Sequence, residues 1–415
     1  MKNCYIRGCY CREKGFPGQE LKLYMKWELG MSAKEFRRKQ KVANHLRLGV
    51  LLLILILLTV FGILHQYPQG WRPAGVDAFC PFGGVESLIT VLATGRFLER
   101  VALSSFILLL ATVITALVFR RSFCGYLCPL GTLQELFGRL GKKVLGKRFT
   151  IPLSVDKYVR YGKYIVFVLV VVFSVVMGEL VFRPYDPWVA YQHLTSDELF
   201  SSLLAGFVVL ILSLLGSVFY DRMFCKYLCP LGGFLGLLAK AGYFRIRRNE
   251  KTCIDCKACS RVCPVNIPVA ELSEVTSSEC ISCNLCVNSC PVENTLFVEG
   301  KRKVRVTPIV VLAATLGIFS LVLGVSTFAG GFAWSVKSIQ EITLRTGQFN
   351  PDEIKGSDTW KAVSELSGIP KDEFMKAFEL TEADFEGTLK DWAHKPGSTR
   401  EVSEVRDYVK KRLGK

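Results

Sequence analysis

Five stretches of the chain are almost purely apolar: residues 48–64, 101–119, 164–182, 199–219 and 308–334. The first has 17 residues, the others at least 19, and Glu179 is the one charge inside any of them. A helix needs roughly 20 apolar residues to cross a bilayer, with about 17 as the lower limit. Five such runs are too many for one soluble core to hide, so the pattern predicts five transmembrane helices. The segments between them are polar and uneven in charge. Lys and Arg number 12 in residues 1–47, 10 in 120–163 and 13 in 221–306, but only 3 in 65–100 and 1 in 183–198. Basic residues favour the cytoplasmic side. The N-terminus, the 120–163 loop and the 221–306 segment are therefore expected on the cytoplasmic side of the cell membrane, and the tail from residue 335 on the outer side.

Within this frame the chain repeats itself. Residues 121–131 read RSFCGYLCPLG and residues 222–232 read RMFCKYLCPLG, identical at nine of eleven positions. Each copy follows an apolar run and leads into a short amphipathic stretch, 132–140 and 233–238. On the opposite side Phe79-Cys80-Pro81-Phe82 and Tyr185-Asp186-Pro187-Trp188 both read aromatic-x-Pro-aromatic. Two crossings per unit leave both copies in one orientation, a parallel repeat about an axis along the membrane normal.

The third basic segment carries the chemistry. Cys253-x2-Cys256-x2-Cys259-x3-Cys263-Pro264 is followed by Cys280-x2-Cys283-x2-Cys286-x3-Cys290-Pro291. This is the two-cluster bacterial ferredoxin run, in which the fourth cysteine of each copy serves the other cluster. Cys253, Cys256, Cys259 and Cys290 are expected to hold one [4Fe–4S] cluster, and Cys280, Cys283, Cys286 and Cys263 the second. A zinc ribbon uses paired C-x2-C knuckles without the added x3-C-P reach. With all iron positions taken by thiolate, the insert is a wire for single electrons and not a catalyst, and no catalytic residue is assigned. Two short alternating stretches, 244–247 and 295–298, frame it and read as a strand pair.

The twin C-x3-C-P motifs place Cys124 with Cys128 and Cys225 with Cys229 at i, i+4 spacing, which on a helix shares one face. The proline that follows puts each pair at a helix end near the inner surface. Around the repeat axis the four thiols would meet as a third redox centre. As packing residues they would be four small hydrophobes, and the repetition of the whole motif favours the redox or metal role.

Composition changes the picture little. The chain has 415 residues, 50% of them hydrophobic, 16 cysteines and a net charge of +17. Apolar content this high excludes a disordered chain. The charge is mostly the positive-inside bias and requires no nucleic acid. The tail beyond 334 is balanced, with 14 basic and 15 acidic residues, and reads as short helices with starts at 338–341, 358–360 and 381–384 and breakers at Gly347, Gly368 and Gly387. Cys4, Cys9 and Cys11 match no ligand spacing, and Met31 opens a natural basic leader to the first crossing. Of the histidines, His65 and His193 fall near the outer surface and His45 and His394 elsewhere. A quinol pocket near His193, Asp186 and Cys80 is one reading of that side; Glu179 would relay protons.

Over residues 46–330 the chain resembles the polyferredoxin-type membrane iron–sulfur proteins, similar to NapH and to the membrane half of NosR. The resemblance rests on the two C-x3-C-P motifs and the double ferredoxin run. It implies an electron-transfer component between the quinol pool, or another donor, and a partner reductase. The chain lacks the large N-terminal flavin-binding domain of the NosR type and adds a fifth crossing with an outer helical domain. The expected architecture is an α-helical integral membrane protein with about five transmembrane helices. Its parts are a basic N-terminal segment (1–47), a four-helix membrane domain (48–243), an inserted α+β two-cluster ferredoxin-like domain (244–306), a fifth crossing (307–334) and a C-terminal all-α domain (335–415). A membrane redox sensor, or a subunit of an ion-translocating redox complex, is the alternative class; two fully ligated clusters favour conduction. For the topology, a reporter fused after Gly300 is expected to be active only as a cytoplasmic fusion and one at Lys415 only outside. Activity of both on one side would remove the fifth crossing.

Overall fold

The computed structural model describes residues 5–6, 9–10, 33–66, 73–75, 79–95, 103–146, 149, 151–196, 198–335, 338–393, 400 and 402–414. His394, Cys4 and Cys11 lie outside them. A short hairpin pairs β1 (Tyr5–Ile6) with β2 (Cys9–Tyr10). The chain divides into two compact units, residues 1–66 with 74–333 and residues 67–73 with 334–415.

The first unit is mostly helical. Its helices are α1 (Ala33–Gln66), α2 (Pro81–Thr94), α3 (Leu103–Phe119), α4 (Ser122–Tyr126), α5 (Pro129–Leu145), α6 (Leu153–Val159), α7 (Gly162–Met177), α8 (Pro187–Gln192), α9 (Glu198–Ser201), α10 (Leu204–Phe219), α11 (Met223–Tyr227), α12 (Pro230–Leu238), α13 (Ala258–Arg261), α14 (Leu285–Ser289) and α15 (Pro308–Phe328). Three stretches, Lys34–Gln66, Ser154–Met177 and Pro308–Phe328, are long and apolar enough to cross a membrane. Helices α2, α3 and α10 are apolar but shorter. Two of the expected crossings are therefore compact helices of 17 and 16 residues. The run 199–219 is broken between α9 and α10. Apolar side chains on these helices face outward, Ile165, Leu212 and Leu321 among them, while Ser104, Thr112, Thr115 and Ser174 are buried. That inversion suits a lipid surround, where polar groups must be satisfied inside the bundle.

The expected strand pair forms and gains a third member. β3 (Phe244–Arg248) runs antiparallel to β4 (Leu296–Gly300), which pairs with β5 (Arg305–Val306). The two aromatic-x-Pro-aromatic motifs do the same local work. Cys80 and Asp186 are extended N-cap residues, and Pro81 and Pro187 open α2 and α8, where proline's missing N–H costs nothing. Glu179 does not lie inside a helix. It follows the left-handed cap Gly178 and is exposed. Glu86 on α2 is buried instead, and accepts hydrogen bonds from Ser174 Oγ at 2.8 Å and Phe182 N at 3.4 Å.

The second unit packs short helices around Trp360, Phe374, Phe378 and Trp392. Thr359 and Thr381 cap helices Trp360–Ser367 and Glu382–Glu386, the latter through a full capping box with Asp384. Gly368 ends its helix in the left-handed region. Gly387 does not: its backbone is extended.

The repeats interlock. Helix α5, which follows the first motif, packs on α10, which precedes the second, and α12 packs on α3 and α7. A Cβ on Gly141 would lie 1.8 Å from Val218 O, so glycine is what lets α5 meet α10. Gly141→Ala is expected to cost about 1–3 kcal/mol, read as a lower aggregation temperature of the detergent-purified chain. Gly49→Ala, with nothing within 4 Å of the new methyl, should leave that temperature unchanged.

Candidate iron–sulfur sites and their charge environment

The ferredoxin cysteines separate into two cavities. One, with about 340 Å³ of atom-free space, is lined by Cys253, Cys256, Cys259 and Cys290. The other, with about 320 Å³, is lined by Cys263, Cys280, Cys283 and Cys286. These are the crosswise sets that the spacing predicts. Among the described residues no three Cys, His, Asp or Glu side chains close on a single-metal site; each quartet lines its own cavity. The backbone around each cavity fits an iron–sulfur centre. Asp255 and Lys257 in one loop, and Ser282 and Asn284 in the other, take positive φ between 50° and 57°. They occupy matching places in the two repeats. Alternation of right- and left-handed residues folds a backbone into a concave nest of N–H groups, a form common around Fe–S sites. Asp and Asn tolerate that conformation better than most residues.

The twin motifs are built differently from a single helix. Cys124 sits in α4 and Cys225 in α11, but Cys128 and Cys229 are extended N-caps of the next helices, α5 and α12. Each capping thiol accepts the N–H of the residue three along, Gly131 at 3.4 Å and Gly232 at 3.3 Å. Cys225 Sγ also accepts from Gln134 Nε2 at 3.2 Å. Burial, and then mutual repulsion among Cys124, Cys128 and Cys225, push the thiols of Cys128 and Cys229 up. Burial likewise raises Cys225, against the pull of Arg222.

Sequence reasoning missed the arginines that open the motifs. Arg222 reaches across to the first copy: Nη1 donates to Cys124 O at 2.6 Å and Nη2 to Glu135 Oε2 at 2.9 Å. A Cβ on Gly131 would meet Arg222 Nη1 at 2.9 Å, and one on Gly232 would meet Arg121 Nη2 at 2.7 Å. Each arginine thus lies on the glycine of the other motif. Arg47 of α1 joins the first site, donating to Gly125 O at 3.0 Å and to both Glu135 oxygens at 2.9 and 2.6 Å. Burial alone would raise the Glu135 carboxyl, but the guanidiniums of Arg47 and Arg222 hold it well below the usual range. On the other side Arg121 and Lys163 share Glu279, and Lys226 pairs with Asp156.

Six cations, Arg47, Arg120, Arg121, Lys163, Arg222 and Lys226, are fully buried here. Five of them pair with three carboxylates, Glu135, Glu279 and Asp156. Arg120 instead clamps the carbonyls of Val275, Thr276 and Ser277. Among the described residues, Nε of Arg121 and Nε of Arg222 are buried with no hydrogen-bond partner. Buried charge in excess of its counter-charge is costly. A four-thiolate iron–sulfur centre, whose thiolates leave it net negative, is the kind of group such a site fits.

The residues expected on the outer side are engaged locally. Asp186 caps α8 by accepting Trp188 N at 2.8 Å, and His193 bonds Val189 O at 2.9 Å through Nδ1 and approaches Glu198 at 3.5 Å through Nε2. Cys80 is the N-cap of α2. A separate cavity lies between the two aromatic-Pro motifs, lined by Phe61, His65, Phe79, Trp188 and Gln192. His45 bonds Lys41 O on the exposed start of α1.

Comparison with known proteins points the same way. A 4Fe-4S binding domain profile matches twice, over residues 101–148 and 202–250, one match on each C-x3-C-P copy. A 4Fe-4S dicluster domain profile matches residues 245–304. The putative electron transport protein YccM of Escherichia coli (strain K12) is 32% identical over 283 residues, spanning 66% of this chain and 78% of that protein. The ferredoxin-type protein NapH of the same organism is 28% identical over 176 residues, 42% of this chain and 57% of its own. The regulatory protein NosR of Pseudomonas aeruginosa is 31% identical over 166 residues, 39% of this chain and 22% of its own. No solved structure matches.

Removing one partner of a buried pair costs about 3–5 kcal/mol. Glu135→Ala strips the counter-charge from Arg47 and Arg222 and should lower detergent thermal stability by that order. Glu35→Ala, in an exposed pair with Lys39, should change it by less than about 0.5 kcal/mol. Equal effects would mean that the buried network carries no special charge constraint.

Proposed function

The chain belongs to the polyferredoxin-type membrane iron–sulfur proteins, and from that premise we propose that it conducts single electrons between a membrane donor and a partner reductase. The observation that carries this reading is the division of the eight ferredoxin cysteines into two cavities, each lined by its crosswise quartet. Cys253, Cys256, Cys259 and Cys290 hold one [4Fe–4S] cluster; Cys263, Cys280, Cys283 and Cys286 hold the other. Cys124, Cys128, Cys225 and Cys229 hold a third redox centre, supported by the buried cation surplus around them. When bound, such groups supply one-electron transfer at potentials set by net charge, hydrogen bonds to sulfur and exposure. The chain's own part is to fix those three quantities: the N–H groups of Gly131 and Gly232 and the amide of Gln134 touch the sulfurs, and Arg121 and Arg222 set the charge.

The domain layout and sidedness follow the charge bias, with the N-terminus and the ferredoxin-like insert cytoplasmic and the C-terminal unit outside, and with five crossings, two of them short. The quinol pool is the proposed donor class, supported by the aromatic cavity with His65 and Gln192. That cavity, rather than His193, Asp186 and Cys80, is where the headgroup would sit.

The test is metal counting on the anaerobically purified full chain. The parent should carry about eight irons in the two quartets plus those of a third centre. Cys128→Ser or Cys229→Ser should lower iron and acid-labile sulfide by one centre while dithionite still reduces the remaining two. Unchanged iron and spectra in both variants would return these cysteines to packing residues.

A further inference from the structure

The two motif copies differ at two of eleven positions, and one difference faces the insert: Gly125 in the first, Lys226 in the second. A Cβ on Gly125 would lie 2.4 Å from Ile281 O and 3.2 Å from both Cα and N of Cys283. The backbone of the first motif therefore touches the backbone of a ligand loop with no side chain between them. At the equivalent place in the second motif, Lys226 turns to Asp156 and the rings of Tyr220 and Tyr227. The tyrosines that follow diverge in the same way. Asn284 donates to Tyr126 OH at 2.9 Å, whereas Tyr227 OH donates to Asp156.

The contact is clamped from several directions. Arg120 holds the carbonyls of Val275, Thr276 and Ser277; Lys163 holds Glu279 at 2.5 Å. Arg47 and Arg222, which bind Gly125 O and Cys124 O, also lie within electrostatic reach of Cys283. The two cysteine quartets of the insert are not equivalent. Cys263, Cys280, Cys283 and Cys286 are all buried. Cys253 and Cys256 are half-exposed, and Ile254, Asp255 and Lys257 beside them are exposed.

We propose that Gly125 is a backbone-to-backbone junction between the membrane motifs and the insert, making Cys263, Cys280, Cys283 and Cys286 the membrane-proximal ligand set and Cys253, Cys256, Cys259 and Cys290 the set that meets a soluble partner. The proposal rests on the reading of these quartets as iron–sulfur ligands. Gly125 acts through its neighbours and is a positioning residue: its missing side chain sets the gap between Cys124 and Cys283. The Cys253–Cys259 loop is the face left open for exchange.

Magnetic coupling in the dithionite-reduced full chain tests the order. Cys253→Ala, which empties the outer set, is expected to retain the splitting between the proximal set and the twin-motif centre. Cys280→Ala, which empties the proximal set, should lose it. Gly125→Ala should keep the parent's iron and sulfide yet lose or narrow that splitting, while Gly49→Ala keeps both. The reverse pattern for the two cysteine variants, or an unchanged splitting in Gly125→Ala, overturns the proposal. The parent alone gives a second arm that needs no variant to fold. The water-soluble iron chelator bathophenanthroline disulfonate should strip the outer set about tenfold faster than the buried one, since loss follows local opening and exposure. Partial iron retention identifies the surviving set by its spectrum, and equal rates or the reverse order overturn the assignment. A parent holding only the two ferredoxin-type centres would sink the third-centre reading instead, and the chelator order would still decide which set is proximal.

Discussion

Buried positive charge is the constraint on which the first unit is built. Six fully buried cations sit between the helices and the cysteine-rich insert, and three carboxylates answer five of them. Each buried cation needs a partner from a distant part of the chain, because a lone charge out of water costs several kcal/mol. Arg47 is answered from α5 and Arg222 from α5 as well, 88 and 87 residues away. Lys163 is answered from the insert, 116 residues away. The same contacts that neutralise charge therefore tie α1, the two motifs and the insert into one body. A surplus remains beside the four motif thiols, the charge that the proposed third centre would answer.

Glycine placement follows from the same crowding. Gly131 and Gly232 are small because a guanidinium from the other motif lies over each, and Gly125 is small because a ligand loop does. Three glycines of one motif type thus record three different approaches: two of arginine, one of backbone. Lys226 shows the alternative outcome, a side chain admitted at the equivalent place and paired to Asp156. The repeat is symmetric in its cysteines and asymmetric in what it touches: the backbone-to-backbone contact with the insert forms at Gly125 of the first copy.

Local chemistry was legible in the sequence and long-range pairing was not. The ferredoxin spacing named both quartets, the alternation at 244–247 and 295–298 found the β3–β4 ladder, and Thr381–Asp384 marked a helix start. These signals live within a few residues of one another. The proline after Cys128 and Cys229 gave the break, but not that the thiol itself would cap the new helix. Glu179 was misplaced because hydropathy averages over the left-handed stop at Gly178. Glu86 was passed over because its 14-residue helix is too short to register as a crossing. The arginines of the motifs were visible as repeated letters, yet nothing local says that each crosses to the other copy.

Those crossings bear on how a protein of this kind could be tuned. Potential at an iron–sulfur site depends on net charge, hydrogen bonds to sulfur and access of water. Here the hydrogen bonds come from residues fixed by capping geometry: a helix that starts with proline must present the N–H of Gly131 or Gly232 to the thiol before it. The charge term is different, since it is shared among Glu135, Glu279 and their arginines and reaches the insert through Cys283. A substitution in this network shifts the environments of the motif thiols and of the neighbouring ligand loop together. Capping therefore holds the Cys128 and Cys229 thiols in place, while the buried ion pairs are the element that the motifs and the insert share.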